Sequence, residues 1–172
     1  MKHHVKDAKM QKLLNFNYKI LILNSLIVIL IFSLDRTSKL YLLNLAEEGV
    51  LINFYIFSFL NVFLTWNTGI GFGLLSSSSN FYYGFISMII GSVILFIFYM
   101  ALKGKFYEKI MYSIIGGGAL GNYYDRLVFK AVPDFIDLHY YNFHWFTFNF
   151  ADIFITLGII LLLTQSIFIK DA

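Results

Sequence analysis

The chain has 172 residues, of which 59% are apolar, 20% aromatic and only 13% charged, half the ~25% charge usual in soluble domains. With a mean hydropathy of +0.72, a soluble domain of this length has no interior large enough for its apolar surface, and the bilayer is the solvent that fits. Disorder, collagen, coiled coil and a disulfide scaffold are excluded, and the absence of cysteine removes every thiol nucleophile and Cys-based metal or haem site. The net charge of +3 is too small to argue for nucleic acid, and its basic residues flank apolar segments, where they set topology.

Residues 1–16 form a basic tail, with Lys2, Lys6, Lys9 and Lys12 against Asp7. Residues 17–34 are the first predicted span, closed by Asp35; no small-residue cleavage site follows, so the segment reads as an uncleaved anchor. No charge occurs from Gly49 to Leu102, too long a stretch for one helix. Asn67-Thr68-Gly69 and the serine run 76–79 divide it, leaving a second span at 81–102. Residues 50–66 are apolar enough for another span, but Asn61, Thr65 and Asn67 alternate with Val62, Leu64 and Trp66, and period two predicts interfacial strands. Spans three and four fall at 107–128 and 149–169, with outer β and loop regions at 35–80 and 129–148.

Lysine placement orients this frame. Four spans put Lys2, Lys6, Lys9, Lys12, Lys19, Lys103, Lys105 and Lys109 on one side, against Arg36, Lys39, Arg126 and Lys130 on the other. The positive-inside rule then gives cytoplasmic termini. Asp35, Asn67, Gly69, Asp125 and Asp152 all gather at the outer leaflet. The expected fold is one mainly α, polytopic membrane domain, 1–172.

Charges at membrane depth cost about 3 kcal/mol each, and here they come in supported sets. Asp35 and Lys39 are i,i+4; Asn122 and Asp125, like Asn149 and Asp152, are i,i+3; Arg126 adjoins Asp125; Asp134 and Asp137 lie between the third and fourth spans. Two carboxyls sharing a site hold one proton between them, so one can activate water while the other polarises a peptide carbonyl. Against this stands a structural role, each Asp capping a helix or pairing with Lys or Arg. For Asp125 the structural role leads; for Asp152, with no basic neighbour in sequence, the chemical one leads. The partner carboxyl stays open between Asp134 and Asp137. Gly117 and Gly121 form a GxxxG, read as close helix packing. His139 and His144, among Tyr140, Tyr141, Phe143 and Trp145, read as an interfacial aromatic belt rather than as ligands.

Five ordered segments resemble the lipoprotein signal peptidase (signal peptidase II) family: Asp35-Arg36-Thr37-Ser38-Lys39, Asn67-Thr68-Gly69-Ile70-Gly71-Phe72, Gly117 to Arg126, Val132-Pro133-Asp134-Phe135 and Phe148-Asn149-Phe150-Ala151-Asp152. The resemblance implies an aspartic endopeptidase with Asp134 and Asp152 as its catalytic dyad. It assigns Asn122, Asp125, Arg126 and Asn149 to support of the site, Asn67 and Gly69 to substrate contacts, and Asp35 and Lys39 to positioning. It implies four transmembrane helices with a small extracytoplasmic β-structure and a short periplasmic helix or loop. The implied protein is a monomer in the bacterial cytoplasmic (inner) membrane, facing membrane lipids with its site on the outer side. The implied substrate is a prolipoprotein carrying a diacylglyceryl cysteine, cut just before that residue; no cofactor, metal or nucleic acid is implied. Ile70-Gly71 in place of Ala-Ala, and Pro133 in place of Val, depart from the family pattern. A small proton-coupled transporter or channel using buried Asp residues is the rival reading.

Overall fold

The computed structural model describes residues 2–69, 80–141 and 143–168; Ile70 and Gly71 lie outside them. The described residues hold four long helices and four strands, in the order α1 (Lys2–Glu47), β1 (Asn53–Phe57), β2 (Leu60–Asn67), α2 (Asn80–Lys103), α3 (Phe106–Phe129), β3 (Val132–Tyr140), β4 (Phe143–Phe148) and α4 (Phe150–Phe168). The strands form one antiparallel sheet in the order β1-β2-β3-β4. Two hairpins far apart in sequence thus meet at the β2/β3 seam, where Thr65 pairs with Asp134 and Asn67 with Val132.

Among the described residues, three helical segments are long and apolar enough to cross a membrane: Tyr18–Glu47, Tyr83–Lys103 and Phe150–Ile167. Their large apolar side chains, such as Leu26, Ile29, Leu30, Leu95, Phe96 and Leu163, point outward. Helix α3 has 24 residues, about 36 Å at 1.5 Å per residue, so length does not limit it. Its apolarity does, because Gly116 to Gly118, Gly121, Asn122, Asp125 and Arg126 are all buried in it. It packs against α1, α2 and α4 and is the helix around which the others gather.

Two sequence expectations change. Asp35 does not end the first helix, which runs on to Glu47. Lys39, one turn later, binds the Asp35 carboxylate at 2.7 Å and removes the reason to stop. The extension carries Leu42 and Leu45 against Ile52, Val62, Phe135 and Ile136, so the sheet is seated on α1. Of the short outer helix or loop that the resemblance implies, no helix occurs between α3 and α4 among the described residues. The segment 132–148 forms the β3–β4 hairpin instead, as its alternating aromatic and polar residues favour. Within the stretch 50–66 the chain forms strands β1 and β2 rather than a further span, as the period-two pattern predicts.

Glycines set how closely the helices approach. A Cβ on Gly118 would meet the Ala151 carbonyl oxygen at 2.6 Å, and one on Gly117 would meet Ile31 Cβ at 3.0 Å. A Cβ on Gly121 would run into the Asp35 carboxylate. The GxxxG pair therefore brings α3 against α1, while Gly118 brings it against α4.

Candidate active site

Asp134 lies on β3, buried, one position before the core residue Phe135. Asp152 opens α4. Asn149 joins them. Its Nδ2 donates to Asp134 Oδ1 at 2.6 Å. Its backbone N–H donates to Asp152 Oδ2 at 3.1 Å, and its Oδ1 accepts the Asp152 backbone N–H, also at 3.1 Å. The last two bonds are a reciprocal capping box with Asn149 at N-cap. The structural role weighed for Asp152 is therefore realised, on one of its oxygens. The other, Oδ1, accepts from Asn122 Nδ2 at 2.8 Å. Asp134 Oδ2 accepts from Asn67 Nδ2 at 3.0 Å. Asn67 Oδ1 in turn accepts the Gly69 N–H at 3.0 Å, fixing the amide so that its NH₂ faces Asp134.

Burial pushes the Asp134 carboxyl up to about 6, the nearby charge of Asp152 pushes in the same direction, and the Asn67 and Asn149 amides oppose both. Helix α4 adds an asymmetry. Asp152 sits in its first turn, where the helix dipole favours negative charge, whereas a strand gives Asp134 no such field.

Behind the two carboxyls lies a buried ionic network. Lys39 Nζ spends its three protons on Asp35 Oδ2 at 2.7 Å, Asp125 Oδ2 at 2.7 Å and Asn122 Oδ1 at 2.9 Å. Lys39, Asp35 and Asp125 have fully buried side chains. Asp125 Oδ1 accepts from Arg36 Nη1, and the Arg36 guanidinium lies 4.7 Å from the centre of the Tyr124 ring. Asp35 Oδ1 accepts the Ala151 backbone N–H at 3.0 Å. A chain of bonds thus runs from Lys39 through Asn122 to Asp152, and from Lys39 through Asp35 to the first turn of α4.

The site residues read from sequence fall into place unevenly. Asp134, Asp152, Asn67, Asn122 and Asn149 form one hydrogen-bonded set, with Asp35, Lys39 and Asp125 directly behind. Asp125 pairs with Arg36 and Lys39, not with its neighbour Arg126. Arg126 instead donates to the carbonyls of Asn122 at 3.2 Å and Gly69 at 3.1 Å, tying the β2 exit to α3. Asp137 does not join the pair; its carboxylate meets His144. Arg36 escaped the sequence reading as a site residue. Its signal was a lone arginine beside Asp35 next to an apolar span, and only folding reveals its partner 89 positions away.

Two carboxyls held by amides, a buried one on β3 and a half-buried one opening α4, among helices that present hydrocarbon outward, describe a membrane enzyme suited to hydrolysis. Similarity to known proteins agrees. A family model described as signal peptidase (SPase) II matches residues 27–168. A lipoprotein signal peptidase of Pelagibacter ubique (strain HTCC1062) is 48% identical over 155 residues, covering 90% of this chain and 93% of that protein. One from Aquifex aeolicus (strain VF5) is 39% identical over 149 residues, covering 85% and 86% respectively. A solved structure described as a bacterial membrane enzyme, determined by the in meso method, has a TM-score of 0.67 at 29% identity, covering 86% of this chain and 88% of its own. The protein is a membrane peptidase. It belongs to the signal peptidase II family.

Proposed function

We infer that this chain removes signal peptides from diacylglyceryl-modified prolipoproteins, cutting just before the lipidated cysteine, with Asp134 and Asp152 as the water-activating pair. The observation that carries the reading is the Asn149 bridge between two carboxyls, one of which burial and its neighbour's charge push up to about 6. Asp134 carries the shared proton and Asp152 is ionised. Asp152 takes a proton from water as the oxygen attacks the scissile carbonyl carbon, and Asp134 protonates the carbonyl oxygen. Collapse breaks the C–N bond. Asp152 returns its proton to the cysteine amine, and the diol returns one to Asp134.

The same reading takes all 172 residues as one domain with four spans, α3 included, in the bacterial inner membrane. It acts as a monomer, with both termini cytoplasmic and the carboxyls at the outer leaflet. The basic tail and the Lys103 to Lys109 loop support that orientation. Lipid on the substrate then holds the scissile bond at the depth of the carboxyls. Asn67 and Gly69 contact the peptide from the β2 exit. Asn122, Asp125, Arg126 and Asn149 support the pair, and Asp35 with Lys39 positions α4.

The test is cleavage of a lipidated precursor by purified enzyme in detergent. Asp134→Asn and Asp152→Asn each abolish cleavage while the protein stays folded, and a precursor lacking the diacylglyceryl group is a poor substrate. Full activity in either variant removes the dyad. Equal cutting of the unlipidated precursor removes the substrate assignment.

A further inference from the structure

Asp137, His139 and His144 gather outside the paired-carboxyl site. Asp137 and His139 are two apart on β3 and so share a face of the sheet, and His144 on β4 is the cross-strand partner of His139. Asp137 Oδ2 lies 2.7 Å from His144 Nδ1 and 3.7 Å from His139 Nδ1. One ligand atom from each residue lies within 4.8 Å of the other two. The imidazole rings stack with centres 5.4 Å apart.

His139 makes this cluster more than a surface coincidence. Its side chain is 8% exposed, yet its Nδ1 has no hydrogen-bond partner among the described residues. Buried polar atoms are nearly always satisfied, and an orphan facing a carboxylate and a second imidazole nitrogen asks for a shared partner. A proton on Nδ1 does not serve, because Asp137 is 3.7 Å away, beyond hydrogen-bond range. Tetrahedral zinc, with bonds of 2.0–2.1 Å, needs ligand atoms about 3.3 Å apart. The two Asp137 distances bracket that value, and no two of the three ligand atoms are more than 4.8 Å apart.

We propose that Asp137, His139 and His144 form a binding site for a divalent late transition metal, Zn2+ above all, which clips β3 to β4. Both rings bind through Nδ1 as Nε2–H tautomers. His144, more than half exposed, leaves the fourth position open to water. The ligand set, two imidazoles and one carboxylate, is the chemistry zinc takes. The site plays no part in the peptidase reading: Asp137 is three residues from Asp134, an odd spacing that sends its side chain to the other face of the strand.

The test is a zinc titration of the purified full chain in detergent against a chromogenic chelator. The chain carries no histidine tag and has the His3→Ala and His4→Ala changes, which remove the remaining histidines. One zinc binds per chain. His144→Ala, at an exposed position, weakens binding by at least about tenfold, as does Asp137→Asn. Zinc raises the unfolding temperature of the parent but not of His144→Ala. Failure of the parent to bind zinc, or equal affinity in parent and His144→Ala, overturns the proposal. Peptidase activity is not the readout, so its loss or retention leaves this result standing alone.

Discussion

Asn149 reaches Asp134 from the end of a helix to which Asp134 does not belong, with a 2.6 Å bond from its side-chain amide. The same residue caps that helix around Asp152. Capping and positioning can be separated. Asn149→Ser keeps a capping oxygen but cannot donate to Asp134; Asn149→Ala loses both. Stability is expected to fall by about 1 kcal/mol in the alanine variant and little in the serine variant. Turnover falls about a hundredfold in both, because a misplaced carboxyl is costly to the rate. Thermal unfolding and single-turnover cleavage measured on both variants check this. Normal turnover in Asn149→Ser counts against the positioning role.

Lys39 tests the ionic network. Replacing it with methionine leaves Asp35 and Asp125 buried and short of a cation. The expected loss is about 3–5 kcal/mol, read as a drop in unfolding temperature in detergent. Since Arg36 still reaches Asp125, Asp35 bears most of the damage. Lys39→Met combined with Asp35→Leu recovers part of the loss. No recovery in the double variant shows that the pair does not act as a unit.

Helix spacing is tested at glycine. Gly118→Ala drives a methyl into the Ala151 carbonyl at 2.6 Å, and a backbone atom, unlike a side-chain end, can give way only if its helix moves. The first turn of α4 shifts with Asp152 on it, and activity falls at least about tenfold. A methyl group added at Gly84 on α2 meets nothing within 4 Å. Gly84→Ala leaves activity intact and stabilises the helix by up to about 1 kcal/mol. Equal effects of the two changes on cleavage contradict the packing argument.

The raised Asp134 carboxyl makes a signed prediction for pH. Between its ordinary value of 3.8 and about 6, the native chain holds more proton on Asp134 than the unfolded chain does. This contribution to stability is present in full below that window, falls as pH rises through it and is constant above. Asp134→Asn removes this residue's share of the slope, and because its new NH2 faces one of the two amide donors, Asn67 or Asn149, it is expected to be less stable than the parent at pH 4. Unfolding temperatures of both proteins across pH 4–8 test it. For cleavage, loss of the shared proton sets the alkaline limb of kcat/KM near 6 in the free enzyme. A profile flat across that range is the contrary result.

Much of the fold was legible because membrane segments announce themselves by composition, and because Asn61, Thr65 and Asn67 alternate with Val62, Leu64 and Trp66 along β2. Asp35 misled for an instructive reason. A charge after an apolar run marks a boundary only if it stays unpaired, and its cation stood one turn downstream. Asp152 was legible from its isolation in an apolar helix. Asp134 was not separable from Asp137 by spacing alone; the family resemblance chose it, and the amides of Asn67 and Asn149 surround it in the structure. The Arg36–Asp125 pair and the histidine cluster on β3–β4 were invisible, since each depends on contacts that no local pattern encodes.

Helix α1 touches both halves of the paired-carboxyl site. Asp35 grips the first turn of α4, and further along the same rod Leu42 and Leu45 support Phe135, next to Asp134. The separation of the two carboxyls is therefore gauged by a single rigid ruler rather than by the strands and loops between them. A one-residue insertion between Asp35 and Leu42 rotates its two marks by about 100° relative to each other and is more damaging than several residues added at the β3–β4 turn.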